Sequence, residues 1–286
     1  MVWRRISRRT LLKRSITGVV GVGLLGAGGI EYGRLVEPRW MDVEAVRLTL
    51  PRLAPAFHQY RVAQISDLHM GDWMNRDLLE EVVRLVNEQQ ADLVAITGDF
   101  VTQDAETSAQ DLIKVLRTLR ARDGVVAVLG NHDHWSNPDI IREVIQQSGM
   151  RDLNNSVLTL ERGAALLHMA GVDDVWEQQD RLDTVLATLP AQGAAVLLAH
   201  EPDYADVSAA TGRFDLQLSG HSHGGQVILP FRGPLRLPPY GRRYPVGRYQ
   251  VGAMIQYTNR GVGMLWPHVR VNCRPEITVF TLESRG

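Results

Sequence analysis

From Tyr60 onward the chain repeats one pattern: a run of Val, Ile, Leu and Ala ends in a short polar motif, and an amphipathic stretch follows. Arg61 to Ser66, Asp92 to Thr97 and Val125 to Leu129 read as strands. Between them, Arg76 to Asn87 and Ser108 to Arg120 carry apolar residues at helical spacing, and Asn137-Pro138 opens a further helix through about Gln147, proline being at home in a first helical turn. Such β-α-β-α-β order predicts parallel strands, with ligands gathered beyond their carboxyl ends. Asp67, Asp99 and Asn131 fall at those ends.

The second half is richer in strands. Leu158 to Leu160, Ala165 to Ala170, Val196 to Ala199, Leu216 to Leu218, Gln226 to Leu229, Ala253 to Tyr257 and Ile277 to Leu282 fit that description, with one clear helix at about Arg181 to Leu189. Together the halves predict an α/β fold: a four-layer α/β/β/α sandwich of two packed mixed sheets. Pro230 to Tyr249, rich in Pro, Gly, Arg and Tyr, is predicted to be a long loop, a length usually tied to function.

Composition adds one domain of ordinary globular character, 286 residues with 44% hydrophobic and 22% charged. The formal net charge of -1 hides an asymmetry, since residues 1 to 30 hold six basic residues and no acid. The rest carries 25 basic against 32 acidic residues, a net of -7. An acidic body argues against specific nucleic-acid binding. Cys273 is the single cysteine, so the chain forms no internal disulfide and no thiolate metal site, and it reads as a small buried apolar residue.

Ser7-Arg8-Arg9-Thr10-Leu11-Leu12-Lys13, directly before the glycine-rich apolar run Ile16 to Ile30, resembles a twin-arginine export signal. About 15 apolar residues suit a signal core better than the ~20 a membrane-spanning helix needs. No Ala-x-Ala site follows, so both a cleaved signal and an uncleaved anchor stay open. Residues 1–36 are therefore expected to be a signal or membrane anchor and 37–286 the catalytic domain. The expected location is the periplasm or the outer face of the cytoplasmic membrane, with the export machinery as a partner.

Five polar segments carry the candidate chemistry: Asp67-Leu68-His69, Gly98-Asp99, Gly130-Asn131-His132-Asp133, His200, and Gly220-His221-Ser222-His223. Six of the nine histidines (His69, His132, His134, His200, His221 and His223) lie in or beside them. Imidazole, carboxylate and amide oxygen without thiolate suit borderline or hard divalent cations at a hydrolytic site. Singly, Asp-x-His is common, a turn aspartate is ordinary, and a satisfied core histidine is the plainer reading of any one ring. Five such segments in order at strand ends reverse that balance.

In that order the segments resemble the calcineurin-like metallophosphoesterase superfamily from about Tyr60 to the end. Within it, the leader, Gly220 to Val227 and the following loop are similar to the bacterial YaeI/YkuE-type phosphodiesterases. The resemblance implies two divalent ions, Mn, Zn or Fe, one held by Asp67, His69, Asp99 and His223 and the other by Asp99, Asn131, His200 and His221. Asp99 would bridge, a hydroxide between the ions would attack phosphorus, and His132 would be the catalytic histidine, with Asp133 expected to orient it. Gly98-Asp99-Phe100-Val101-Thr102-Gln103-Asp104 lacks the Asp-Arg pair usual in protein phosphatases, which disfavours a phosphoprotein substrate.

The expected substrate is a phosphate ester, most simply a diester, lipid- or cell-envelope-linked, with membrane association. Two alternatives are a pyrophosphohydrolase of a lipid-linked sugar nucleotide and a noncatalytic cell-envelope phosphate-binding protein. Arg232, Arg236, Arg242, Arg243 and Arg248 are candidates to hold phosphate, and Tyr240, Tyr244 and Tyr249 to face a sugar, base or headgroup; a solvated covering loop is the equal alternative. Trp73, Trp135 and Trp176 are site walls or core packing. His58, His168 and His268 are expected to be structural.

Overall fold

A computed structural model describes residues 29–285, so the twin-arginine motif and nearly all of the apolar run lie outside the described residues. Residues 29–35 are helical. Fourteen strands and six α-helices follow, most of them where the hydrophobic pattern expects them. β2 (Tyr60–Ile65), β3 (Leu93–Thr97) and β4 (Val125–Val128) run parallel in one six-stranded sheet, joined by α1 (Arg76–Glu88) and α2 (Ala105–Leu116). α1 forms because Leu79, Val82, Val83 and Val86 share one buried face, and the Asn75 side chain caps its start by accepting from the Leu78 N–H at 3.0 Å. After the short α3 (Asn131–Ser136), α4 (Pro138–Gln147) leads into β5 (Arg151–Asp152) at the sheet edge.

β1 (Asp42–Leu50) and β14 (Glu276–Ser284) complete the first sheet in the order β1-β14-β2-β3-β4-β5. The second sheet is built from β6 (Ser156–Arg162), β7 (Ala165–Gly171), β8 (Ala194–Leu198), β9 (Leu216–Ser219), β12 (Gly247–Val251) and β13 (Met254–Thr258), ordered β12-β13-β9-β8-β7-β6. Both sheets mix parallel and antiparallel pairs. Leu93, Val126, Val128 and Phe280 of the first sheet pack on Leu167, Val196, Leu198 and Leu218 of the second, forming the central core. A second core lies under α1, α2 and α4, and a third under α5 (Leu182–Thr188) and α6 (Ala205–Ala210). The order of layers is helix, sheet, sheet, helix, as expected.

Some boundaries differ from the pattern. β1 was not anticipated because Asp42, Glu44 and Arg47 break its apolar alternation; as an edge strand it exposes most of its length. α2 starts at Ala105, where the Asp104 carboxylate caps the Thr107 N–H at 3.0 Å, and stops at Leu116 rather than Arg120. Pro230 to Tyr249 is not one loop. It holds the turn of a small hairpin, β10 (Ile228–Leu229) against β11 (Gly233–Pro234), and the start of β12. Among the described residues, no helix is long and apolar enough to cross a membrane.

Candidate metal centre

Every candidate donor follows a strand end. Asp67 and His69 extend β2, Asp99 follows β3, Asn131 and His132 follow β4, His200 follows β8, and His221 and His223 follow β9. The first five come from one sheet and the last three from the other. Backbone bonds continue past the strands, from Asp67 N–H to Gly98 O at 3.0 Å and from Gly220 N–H to His200 O at 3.0 Å, which fixes these tips against one another.

The local backbone is bent into a rarely used conformation. Asp67, His69, Asp99, His221 and His223 all have left-handed φ, between 49° and 67°. A non-glycine residue holds that geometry only where its surroundings impose it, and such strain clusters at functional sites. Gly220 makes the convergence sterically feasible, because a Cβ there would collide with Ser66 Oγ and Asp67 Oδ2.

The side chains meet in three groups, each with its donor atoms within 4.8 Å of one another: Asp67, His69 and His223; His69, Asp99 and His132, which overlaps both of the others; and Asp99, His200 and His221. Asp99 Oδ2 links the groups, 3.5 Å from His69 Nε2 and 3.2 Å from His200 Nε2. His223 Nε2 stands 3.3 Å from Asp67 Oδ1 and 3.0 Å from His69 Nε2. Each of these side chains except that of His132 is nearly or fully buried.

Carbonyl groups set the histidine tautomers. His200 Nδ1–H donates to Thr97 O at 2.6 Å, leaving Nε2 to face Asp99. His221 donates from Nε2 to Pro239 O at 2.8 Å, which frees Nδ1. Backbone amides hold the carboxylates, His221 N–H on Asp67 Oδ1 at 3.0 Å and His132 N–H on Asp99 Oδ1 at 2.9 Å. These carbonyls gave no signal in the sequence, because backbone atoms belong to every residue type.

The electrostatics favour cations. Burial, opposed in part by Asp99, pushes His69 down to about 3. Burial, aided by His200, pushes His221 down to about 3. Burial with His69 nearby also holds His223 well below its usual range, so all three rings are neutral at pH 7, the form that could bind a cation. Burial raises the Asp67 carboxyl to about 6 while His200 opposes the rise. At Asp99 the burial penalty is overcome by His200, His132 and His69, which hold it well below the carboxylate range; reciprocally, Asp99 outweighs burial at His200 and lifts it well above the imidazole range. The pair thus keeps a positive charge where two buried carboxylates need one. A divalent cation fits the same place and would displace that proton. Asn131 Oδ1 is buried without a hydrogen-bond partner, as an oxygen that binds a cation would be.

The profile of the family described as calcineurin-like phosphoesterase matches residues 60–225, which contain all eight candidate residues. The chain belongs to the calcineurin-like phosphoesterase family. It is 34% identical to metallophosphoesterase YkuE of Bacillus subtilis (strain 168), over 98% of this chain and 99% of that protein. It is 30% identical to phosphodiesterase YaeI of Escherichia coli (strain K12), over 97% and 99% respectively. A transmembrane protein with metallophosphoesterase domain from Danio rerio is 29% identical, over 97% of this chain and 63% of that protein.

In this calcineurin-like phosphoesterase domain, the centre opens into a cleft of about 560 Å³. His132 lines it beside Trp135 at a ring separation of 4.7 Å, with Nδ1 2.7 Å from Thr102 O and Nε2 left free. Asp133 does not orient His132: its oxygens accept from the Phe100, Val101 and Gly130 amides, at 2.8, 3.3 and 3.0 Å. A carboxylate enclosed by three amides is a turn-former, and the His132 ring points away from it to a carbonyl. Trp135 and Trp176 are cleft walls, whereas Trp73 packs on a core. Arg236 and Arg242 reach the cleft, while Arg243 pairs with Asp206 outside it. His58, His168 and His268 stand apart from the centre, with partners Ser284, Thr159 and Asp72. His134 also turns away, to Asp173 at 2.8 Å. Pattern reading missed the buried Glu201, whose carboxylate accepts from the Val175 and Trp176 amides at 3.2 and 3.4 Å and positions the wall that carries Trp176.

Proposed function

We propose that the protein is a dinuclear metal-dependent phosphodiesterase. The observation that carries this reading is the position of Asp99 Oδ2 between His69 Nε2 and His200 Nε2, which joins two buried donor groups through one carboxylate oxygen. Asp67, His69, Asp99 and His223 would hold one cation, and Asp99, Asn131, His200 and His221 the other. Two divalent ions so held, Mn, Zn or Fe by ligand type, would polarise a phosphoryl oxygen and lower the pKa of a water for in-line attack. The carbonyls of Thr97 and Pro239 keep His200 and His221 in the tautomers that ligation needs. His132, whose Nδ1–H donates to the Thr102 carbonyl, turns Nε2 towards the departing oxygen; in the imidazolium form it would pass the Nε2 proton there as the P–O bond breaks. Trp135 and Trp176 wall the reacting atoms from bulk water. The phosphodiesterase YaeI, similar over nearly the whole chain, supports the choice of a diester.

Bis-p-nitrophenyl phosphate and p-nitrophenyl phosphate, each with Mn, Zn, Fe and Mg separately, test the reading. Faster hydrolysis of the diester is expected. Inertness with every metal would leave a noncatalytic phosphate-binding protein.

The leader suggests that this chemistry takes place outside the cytoplasmic membrane, after export of the folded, metal-loaded chain through the twin-arginine machinery. Arg8→Lys with Arg9→Lys should retain the protein in the cytoplasm, and unchanged export would refute that assignment.

A further inference from the structure

One edge of the cleft has apolar surface that no other part of the described fold covers. Phe231, in the turn of the β10–β11 hairpin, is fully exposed; Trp266 is 83% exposed and Leu235 56%. Trp266 and Leu235 also line the cleft, together with Val227, Leu237 and Leu265, so apolar side chains, with Gln226 and Arg236 among them, lead from the surface into the cleft of the metal centre. Gln226 ties its two sides together: its Nε2 donates to the Leu265 carbonyl at 3.1 Å, and its Oε1 accepts from the Leu265 N–H at 2.7 Å. Single exposed apolar residues are normal, but a continuous stretch of bulky ones marks an interaction surface.

The place where the amino terminus joins the fold says what that surface faces. The apolar run Ile16 to Ile30 leads into residues 29–35, and Gly33 lies against Val269 and Val271 with its carbonyl accepting from the Arg270 N–H at 2.8 Å. Val271 forms a parallel bridge with Val227, directly before the hairpin. The segment extending from the leader and the hairpin carrying Phe231 therefore flank the same short stretch, and a membrane holding one brings the other to its surface. Arg236 and Arg242 line the cleft and, among the described residues, have no acidic partner. Aromatic residues with free arginines at an apolar rim suit the boundary between acyl chains and phosphate headgroups.

We propose that the substrate is a bilayer glycerophospholipid, drawn from the membrane with its phosphodiester at the metal centre and its acyl chains along Val227, Leu235, Leu265 and Trp266. The inference rests on the phosphodiesterase reading and names its substrate class. Water adds its oxygen to phosphorus, one ester P–O bond breaks, and the proton from His132 goes to the departing alkoxide, so the products are an alcohol and a phosphate monoester. The acyl chains stay out of the chemistry and supply binding.

The test compares phosphatidylglycerol in mixed micelles with its deacylated counterpart, glycerophosphoglycerol, using the full chain with metal. Because each buried methylene strengthens binding several-fold, a kcat/KM at least about a hundredfold greater for the acylated diester is expected. Leu235→Asp and Trp266→Glu should each reduce that ratio about tenfold, by the loss of a comparable apolar contact. A second readout is independent of turnover. An environment-sensitive dye on Phe231→Cys should shift to the blue when the full chain is reconstituted in phosphatidylglycerol vesicles, while the same dye on Arg47→Cys should not. Arg47 pairs with Thr281, opposite Arg61 at the start of β2, and so sits at the end of the sheets away from the site. Equal rates for the two diesters together with an unshifted dye at position 231 would overturn the proposal while leaving phosphodiesterase activity intact. Faster cleavage of a nucleotide diester would assign the cleft to base stacking on Trp135 and Trp176 and overturn it as well. Failure to cleave bis-p-nitrophenyl phosphate would instead remove the reading beneath it.

Discussion

At the scale of single residues, His132 and Asp99 sit a hydrogen bond apart and should fail differently. His132 touches the centre through its backbone, which donates to Asp99, while its ring is held by Thr102. His132→Ala keeps the backbone donor, so metal content should hold while turnover falls by about 10²- to 10⁴-fold, the usual worth of a positioned proton donor. Asp99→Ala removes the oxygen between His69 and His200 and should empty the site. Metal analysis beside the rate separates the two, and unchanged turnover in His132→Ala would refute its role. The donors were legible because their residue types are chemically restrictive and their segments recur in order. What orients them was not, since Thr97 O, Thr102 O and Pro239 O are backbone atoms brought near by folding alone.

At the scale of elements, the helices of the first half owe their ends to side chains that sequence displays. Asn75 accepts from Leu78 N–H, and Asp104 from Thr107 N–H. Asn75→Ala should lower unfolding stability by about 0.5–2 kcal/mol, measured by urea denaturation, with the site unchanged. Parallel strands were legible for a similar reason: β3 and β4 are apolar nearly throughout, and β2, which also carries Arg61 and Gln64, is buried along almost its whole length, as strands covered on both faces are. The edge strand β1 was hidden by its charges, and β11 by its shortness, two residues, whereas β10 lies within the strand read at Gln226 to Leu229. Elements stabilised by partners distant in sequence, such as β1 on β14, leave little local imprint. The motif Asn131 to Ser136 is itself a helical turn whose start Asp133 fixes, which makes that carboxylate structural rather than catalytic.

At the scale of the molecule, polar contacts join the helical side of the first sheet to the strand tips of the second. His134, from α3, and Arg142, from α4, both grip Asp173, which follows β7, at 2.8 and 2.9 Å. Burial opposes charge on His134, but Asp173 outweighs it and raises the imidazole; burial likewise opposes charge on Asp173, and His134 outweighs it and lowers the carboxyl. The raised histidine contributes stability that is full below its ordinary value of about 6.5 and lost as pH rises through its folded value. The lowered carboxyl contributes above about 3.9 and is lost as pH falls through its folded value. Chemical denaturation at a series of pH values should therefore show that His134→Gln costs most stability in the mildly acidic range and progressively less above neutrality; a cost independent of pH would refute the ion pair. The same division between sheets governs the centre, where Asp67, His69, Asp99 and Asn131 come from one side and His200, His221 and His223 from the other. An ion bound there would act as a clasp between the two sheets, and a ligand bound only to the folded chain stabilises it in proportion to the logarithm of its concentration. A chelator should lower the melting temperature of the whole domain in one cooperative step.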